Sequence, residues 1–264
     1  KNKMTPGIQL LVARKGKVIY QKSFGNHTYE EGAIKVQNTD LSDIASLTKI
    51  IGTLPNVMLE FDNGNITLDT KLKSLLPVFR GSNKEDATVL DMLTHQARFY
   101  PWIAFYKATL DSVNKPSLKY YRNRYSEEFP IQVSKQLYLR KDYNDSILKA
   151  IADSKLFPKV QYKYSDFSFI LMKEYLERIT EKPLDELSND NFYKLIGANR
   201  MLYNPLKKFK KEAIIPSEID NYFRYDTIQG YVHDMAAAMQ GGVAGHAGIF
   251  SNSLDVAKMM QLFL

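Results

Sequence analysis

The pattern of apolar and polar positions predicts a β-hairpin at the start of the chain. Residues 8–14 and 18–24 are rich in apolar and β-prone side chains, and Gly16 lies in the turn between them. A further short strand is predicted over 41–45. Because two strands alone are marginally stable, we expect other elements to cover this hairpin.

Apolar residues at helical spacing follow Ser46 and end at Asn63-Gly64. Pro55 either kinks this helix or separates its first turns from the remainder. Further helices are predicted over 68–76, 88–95, 167–179 and 253–264.

Length and composition are those of an ordinary globular protein built as one large domain or as two lobes, and we predict a single domain over residues 1–264. The chain has 264 residues, of which 44% are hydrophobic and 25% charged. We divide it into an N-terminal hairpin with a candidate nucleophile helix (1–98), a basic, Tyr-rich insertion expected to be helical (99–163), and a second-motif helix with a Gly-rich loop (164–264). Since the chain has no cysteine, disulfides, thiolate nucleophiles and cysteine metal sites are excluded. No apolar run is long enough for a transmembrane helix.

Positive charge is concentrated between residues 107 and 163, which contain twelve Lys or Arg but only six Asp or Glu. Basic residues interleaved with tyrosines suit an anionic polymer such as a cell-wall glycan, or simply form a solvated surface. Because no nucleic-acid-binding motif accompanies them, we predict no nucleic-acid partner. Oligomeric state is left open.

The candidate chemistry begins with Ser46-Leu47-Thr48-Lys49. Residues three apart share a helix face, so Lys49 would lie beside the Ser46 hydroxyl and could take its proton. A helix N-terminus would add free N–H groups for an oxyanion. Two further S-x-x-K tetrapeptides begin at 112 and 146, but only Ser46 lies between a strand and a long apolar helix. The alternative is a capping serine followed by a surface lysine.

A second candidate element is Tyr164-Ser165-Asp166, directly before the buried helix predicted over 167–179. It would supply a phenol for proton transfer and a carboxylate. The same loose pattern occurs at 121–123 and 143–145. The alternative is a core tyrosine with a helix-capping Asp166.

Taken in order, the segments 46–49, 90–96, 164–166 and 245–251, with Asp255, resemble the serine β-lactamase and penicillin-binding-protein family. The chain is most similar to the class C β-lactamase-related hydrolases and esterases, and the resemblance runs from the first strand to the last residue. It implies an α/β (α+β) fold of the β-lactamase/transpeptidase type, with an antiparallel sheet flanked by helices and a helical lobe. The stretches 230–234 and 241–248 resemble a subgroup found attached to cell-wall glycosidases.

The resemblance also implies residue roles. Ser46 would be the acylated nucleophile, Lys49 its base and Tyr164 the proton shuttle. The implied substrate-binding residues are Asp166, which stands where many relatives have Asn, and His246 and Gly248. His95 would be structural, and His233 and Asp234 receive no role.

The family's third motif, Lys-Thr-Gly or His-x-Gly on a late inner strand, is not found. His246-Ala247-Gly248 fits the letters, but its place before a helix fits a Gly-rich loop better. We therefore expect the chain to be C-terminally incomplete and to stop before the last three strands, which would leave the hairpin with an unpaired edge and an uncovered face.

These observations predict a serine acyl hydrolase acting on an amide, β-lactam, D-alanyl peptide or ester carbonyl, with no cofactor and no metal. The substrate would be a small molecule or derive from peptidoglycan, and the resemblance implies an exported protein. One alternative is a non-catalytic module of the same fold that binds cell-wall polymer or a protein partner. Another makes His233, Asp234 and His246 a metal site.

Overall fold

The computed structural model describes residues 4–264, and the predicted hairpin is present. β1 and β2 pair antiparallel from Gly7 opposite Gly25 to Arg14 opposite Lys17. The strands are β1 Gly7–Arg14, β2 Lys17–Gly25, β3 Ser42–Asp43, β4 Tyr121–Arg122, β5 Ile131–Ser134, β6 Leu137–Leu139, β7 Leu202–Tyr203, β8 Glu218–Asp220, β9 Asp226–Ile228 and β10 Ile249–Ser251.

The α-helices of the described chain are α1 Leu54–Asp62, α2 Leu72–Leu75, α3 Val89–Leu93, α4 Tyr143–Asp153, α5 Phe167–Thr180, α6 Leu184–Ser188, α7 Met235–Met239 and α8 Ser253–Gln261. Five of them, α1, α2, α3, α5 and α8, lie where apolar periodicity predicts them, although those expected over 68–76 and 88–95 are shorter than predicted. No apolar periodicity predicted α4, α6 or α7. Within residues 4–264, no helix has the length and apolar character needed to cross a bilayer.

Pro55 lies in the first turn of α1. The preceding turns, Lys49–Thr53, are wound as a π-helix that runs directly into α1, because Thr53 and Leu54 both have right-handed helical backbone angles. The prediction of a separate first segment is therefore wrong: the helix is continuous, and its winding changes from π to α next to Pro55.

Pairing of two short strands brings the candidate motifs together. Across residues 4–264 the strands form four sheets, with orders β1-β2, β3-β10-β7, β4-β6-β5 and β8-β9, and all pairs are antiparallel. β3 ends three residues before Ser46, and β10 begins directly after Gly248. Since β10 pairs with β3, the serine turn and the Gly-rich loop meet at one end of this sheet.

Helix α5 forms the centre of the core. It packs against α1, α3 and α6, and its residues Phe167, Ile170, Leu171, Met172 and Leu176 are all buried. This rigid helix carries the Tyr164-Ser165-Asp166 segment on its N-terminal side.

The expectation that residues 99–163 form a helical lobe is wrong in part. The segment contains α4, but β4, β5 and β6 form a three-stranded sheet within it. These strands have two to four residues each, too few for an alternating pattern to stand out. Their buried residues Tyr121, Val133 and Leu139 belong to the main core.

The N-terminal hairpin is largely uncovered. β1 pairs with β2 and with no other strand of the described chain. Ile8, Leu10 and Ile19 are 51%, 42% and 66% exposed. Gln9 ties the hairpin to the domain, because its amide nitrogen donates to the carbonyls of Gln37 and Asp40.

Candidate active site

Ser46 and Lys49 lie side by side at the first helical turn after β3. Lys49 Nζ is 3.0 Å from Ser46 Oγ. Ser46 is exposed, whereas only 2% of Lys49 is accessible. A substrate can therefore reach the hydroxyl, while the lysine nitrogen is withdrawn from water behind it.

Two further acceptors fix the Lys49 nitrogen. It lies 2.7 Å from Asp166 Oδ1 and donates to the His246 carbonyl at 3.1 Å. These partners come from the N-terminal side of α5 and from the Gly-rich loop. The site thus joins three segments that are far apart in sequence, and the alternative of a surface lysine is wrong.

The turn that presents Ser46 is held by Asp43, a residue that the sequence analysis did not select. Asp43 Oδ1 accepts from the Ala45 N–H at 2.8 Å, and Oδ2 accepts from the His233 N–H at 2.6 Å. Ala45 has φ +46°, a left-handed conformation that is strained for a residue with a side chain. Burial raises the pKa of Asp43 above its ordinary value, against the opposing effect of these two hydrogen bonds. Asp43 could have been found in the sequence, because an Asp side chain commonly accepts from the backbone N–H two residues later, here that of Ala45.

The expected row of free N–H groups at the helix N-terminus is not observed. The Leu47 N–H donates to Ile44 O at 3.1 Å, and the Thr48 N–H donates to Ala45 O at 3.0 Å. The Ser46 N–H has no protein acceptor in the described part of the chain. One backbone donor is therefore available beside the Ser46 hydroxyl.

Tyr164 covers Lys49 with its ring. Lys49 Nζ is 4.8 Å from the centroid of the Tyr164 ring, and Tyr164 is 40% exposed. Asp166 precedes α5 but makes no side-chain capping bond, because its carboxylate pairs with Lys49 instead. The alternative of a core tyrosine with a capping Asp166 is therefore wrong.

His95 contacts both Tyr164 and Ser165 and so holds the Tyr164-Ser165-Asp166 segment in place. Its Nδ1 accepts from the Ser165 N–H at 3.2 Å, and its ring lies 4.6 Å from that of Tyr164. Burial, and then the nearby Lys49 charge, lower the pKa of His95 below its ordinary value. His95 thus positions a residue of the site as well as packing.

The structure places the His246 side chain inside the protein. Only 1% of His246 is exposed, and its Nε2 lies 2.9 Å from Asp234 Oδ1. Asp234 Oδ1 also accepts from the Ala237 N–H and so caps α7. Burial acts to raise the pKa of Asp234, but the His246 imidazole and the Ala237 N–H outweigh it and hold this pKa below its ordinary range. The group of His246 that reaches Lys49 is its carbonyl, which has no side-chain signature in sequence.

Gly248 closes the Gly-rich loop 241–248. Its φ is +126°, and a Cβ there would lie 2.3 Å from the Gly242 carbonyl oxygen. Thr53 Oγ1 donates to the Gly245 carbonyl at 2.7 Å, which fastens the loop to the helix that carries Lys49. Gly248 therefore shapes the wall behind Lys49.

The competing motifs do not form comparable sites. Lys115 lies over the Tyr225 ring, and Lys149 pairs with Asp153 at 2.8 Å. Tyr121 and Tyr143 are buried. The structure therefore brings together the residues selected by their position in the chain, Ser46, Lys49, Tyr164 and Asp166.

The residues of the alternative metal site face different partners. His233 Nε2 lies 3.3 Å from Glu218 Oε2, whereas His246 faces Asp234. Residues 4–264 contain no group of three or more His, Cys, Asp or Glu that could hold a metal ion.

The sequence model of the beta-lactamase family matches residues 1–264. The chain belongs to the beta-lactamase family. This confirms the resemblance drawn from the ordered motifs and the β-lactamase/transpeptidase-like fold, which over residues 4–264 has small antiparallel sheets and eight α-helices.

Two curated relatives match almost the whole chain. N-acetylmuramyl-L-alanine amidase of Bacillus subtilis is 28% identical over 98% of this chain and 59% of its own length. A protein of Escherichia coli K12 named as a D-alanyl-D-alanine carboxypeptidase is 26% identical over 98% of this chain and 60% of its own length. The chain therefore spans about 60% of the length of these relatives.

A solved structure shows the same fold. The beta-lactamase/D-alanine carboxypeptidase from Yersinia pestis, complexed with citrate, superposes with a TM-score of 0.64 at 20% identity, over 98% of this chain and 63% of that one.

Proposed function

We propose that this protein is a serine acyl hydrolase that forms an acyl-enzyme at Ser46. The observation that carries the proposal is the 3.0 Å contact between Lys49 Nζ and Ser46 Oγ, with the hydroxyl exposed and the lysine buried. A serine attacks a carbonyl carbon only when a base takes its proton, and Lys49 is placed to do so. Water then releases the acyl group.

Lys49 Nζ has three partners, one for each N–H bond of an ammonium: Asp166 Oδ1, the His246 carbonyl and Ser46 Oγ. To act as a base in this proposal, Lys49 first releases one proton to water, and its lone pair then takes the Ser46 hydroxyl proton. After attack, the re-formed ammonium keeps Asp166 and the His246 carbonyl as acceptors, and Asp166 balances its charge.

Tyr164 completes the proton path in this proposal. Its ring lies over Lys49, and its 40% exposure leaves it accessible to a leaving group. We infer that its hydroxyl donates its proton to the departing nitrogen or oxygen and takes the proton that Lys49 removed from Ser46, so that both groups return to their starting state. The Ser46 N–H would donate to the developing oxyanion.

The names of two relatives suggest the substrate class. One is named an amidase and the other a carboxypeptidase, and both names refer to a bond at alanine. We infer that the substrate is a peptide derived from peptidoglycan and that the protein acts in the periplasm or at the cell surface. Small esters and β-lactams present the same carbonyl group to Ser46 and serve as probes.

Hydrolysis of an activated acyl ester and of a D-alanyl peptide tests the proposal. Ser46→Ala should abolish turnover of both. Ser146→Ala, which changes another S-x-x-K serine on α4, should retain it. Full turnover by Ser46→Ala would overturn the proposal. No turnover of either substrate by the wild type would favour the alternative, a non-catalytic module that binds cell-wall polymer or a protein partner.

A further inference from the structure

A small cavity lies beside the candidate nucleophile. It has a volume of about 250 Å³ and is bounded by residues 102–106, by the start of α5 and by residues 233–236. Asp166 forms part of its wall and pairs with Lys49, which contacts Ser46. The cavity is therefore linked to the Ser46 hydroxyl through Asp166 and Lys49. It has room for one side chain of a bound acyl donor.

The inner wall of this cavity is apolar. Phe105, Phe167 and Ile170 line it and are at most 5% exposed. Trp102 also lines the cavity but is 57% exposed, so it lies on the solvent side. A methylene chain that packs against this apolar wall is removed from water, which favours its binding.

The charged groups on the wall are carboxylates. Asp166 and Asp234 each use Oδ1 for protein contacts, to Lys49 and to His246 respectively. Within residues 4–264, no hydrogen bond or ion pair reaches the Oδ2 atom of either residue. Their side chains are 22% and 34% exposed, so the second oxygens can meet a ligand.

No Lys or Arg lines the cavity within the described chain, although the protein as a whole carries a net charge of +7. The remaining titratable wall residues are His233, whose Nε2 faces Glu218, and Tyr106. Lys49 and His246 lie behind the two carboxylates, and each occupies one oxygen only. A ligand in this cavity therefore meets a buried apolar surface and two carboxylates.

We propose that this cavity binds a side chain of the acyl donor that ends in a primary ammonium. This rests on the proposed function, since it places the cavity beside a reacting serine. The methylene stem would lie against Phe105 and Ile170, and the ammonium would donate to the free oxygens of the carboxylates. The Trp102 ring adds a face suited to a cation.

The test uses three thioester acyl donors that differ only in one side chain: lysyl, norleucyl and 2-aminoadipyl, ending in an ammonium, a methyl and a carboxylate. Trp102 is the single tryptophan of the chain, so its fluorescence reports occupancy. Titrations are made in Ser46→Ala, in which no acyl-enzyme can form. We expect the lysyl donor to bind about tenfold more tightly than the norleucyl donor, as one charge-assisted hydrogen bond would give, and the aminoadipyl donor to bind most weakly.

A second variant removes the charge. In Ser46→Ala/Asp234→Asn the ratio of lysyl to norleucyl affinity should fall, because only the Asp166 carboxylate is left to accept from the ammonium. Ser46→Ala/Asp226→Asn, at an exposed aspartate of β9, should keep the ratio. Equal affinities for the lysyl and norleucyl donors in the Ser46→Ala protein, or binding without a change in Trp102 fluorescence, would overturn the proposal. Failure of the proposed function is distinguishable, because the wild type would then form no acyl-enzyme while the selectivity in Ser46→Ala persisted.

Discussion

Lys49 Nζ and Asp166 Oδ1 lie 2.7 Å apart, in a pair of which the lysine side chain is 3% exposed and the aspartate side chain 22%. This ion pair links the serine turn to the N-terminal side of α5. It sets the position of the lysine nitrogen relative to Ser46, and the account of the site depends on it.

Asp166→Ala should lower the free energy of unfolding by about 3 kcal/mol, because it leaves the buried Lys49 without its countercharge. Asp166→Asn should cost less, since the amide oxygen can still accept a hydrogen bond. Chemical denaturation of both variants measures the difference. An Asp166→Ala protein as stable as the wild type would show that the pair does not support the fold.

Lys49→Gln should reduce the rate of acylation about 10³-fold, the usual contribution of a general base, while the protein stays folded. Lys149→Gln is the matched control, because Lys149 follows Ser146 at the same spacing but pairs with Asp153. Stopped-flow acylation by a chromogenic ester gives both rates. Equal losses in the two variants would remove Lys49 from the mechanism.

Asp43→Ala should slow acylation about tenfold or more, because the Ala45 and His233 N–H groups lose their shared acceptor and the Ser46 turn is no longer held. Asp43→Asn keeps one oxygen acceptor and should lose less. The rates are compared after circular dichroism has shown that the variants are folded. An unchanged acylation rate in Asp43→Ala would show that the Ser46 turn keeps its conformation without the Asp43 carboxylate.

Gly248→Ala should destabilise the protein by about 3 kcal/mol, because its Cβ would lie 2.3 Å from the Gly242 carbonyl oxygen. Gly81→Ala is the control: Gly81 also has positive φ, +78°, but has open space around it, so its cost should be about 1 kcal/mol. Thermal unfolding compares the two. An equal loss of stability in the two variants would show that the loop can shift to make room for a Cβ at residue 248.

Acid should slow acylation through His95. Its lowered pKa keeps the imidazole neutral at pH 7, so that Nδ1 accepts from the Ser165 N–H. The folded chain binds this proton less readily than the unfolded chain, so stability falls as the pH drops below about 6.5 and His95 becomes protonated. The Tyr164 segment then loses its support.

The check is the pH profile of acylation in the wild type and in His95→Gln. The variant should be slower at pH 7 and should lack the acid limb that His95 causes. The same acid limb in both proteins would assign it to another group.

The parts of the fold that the sequence predicted are those with long, regular patterns. α5 is a fourteen-residue helix with a buried apolar face, so packing and local preference agree there. β1 and β2 flank a glycine turn, and for this largely exposed hairpin local preference alone gives the prediction. The strands of the 99–163 segment are set by tertiary contacts of a few buried residues, and no local pattern distinguishes them from loops.

The candidate site was predictable where side chains carry the chemistry. The three-residue spacing of Ser46 and Lys49 places them on one face, and Asp166 and Tyr164 precede a strongly apolar helix. The His246 carbonyl was not predictable, because every residue has one. Its position depends on β10 pairing with β3 and on the Asp234 contact to the buried imidazole.

The intact mass of the protein after incubation with a β-lactam or an activated acyl ester shows whether Ser46 is a nucleophile. We expect one covalent adduct per chain, located at Ser46 by peptide mapping and absent from Ser46→Ala. No adduct in the wild type with either reagent, or the same adduct in Ser46→Ala, would contradict a nucleophilic role for Ser46.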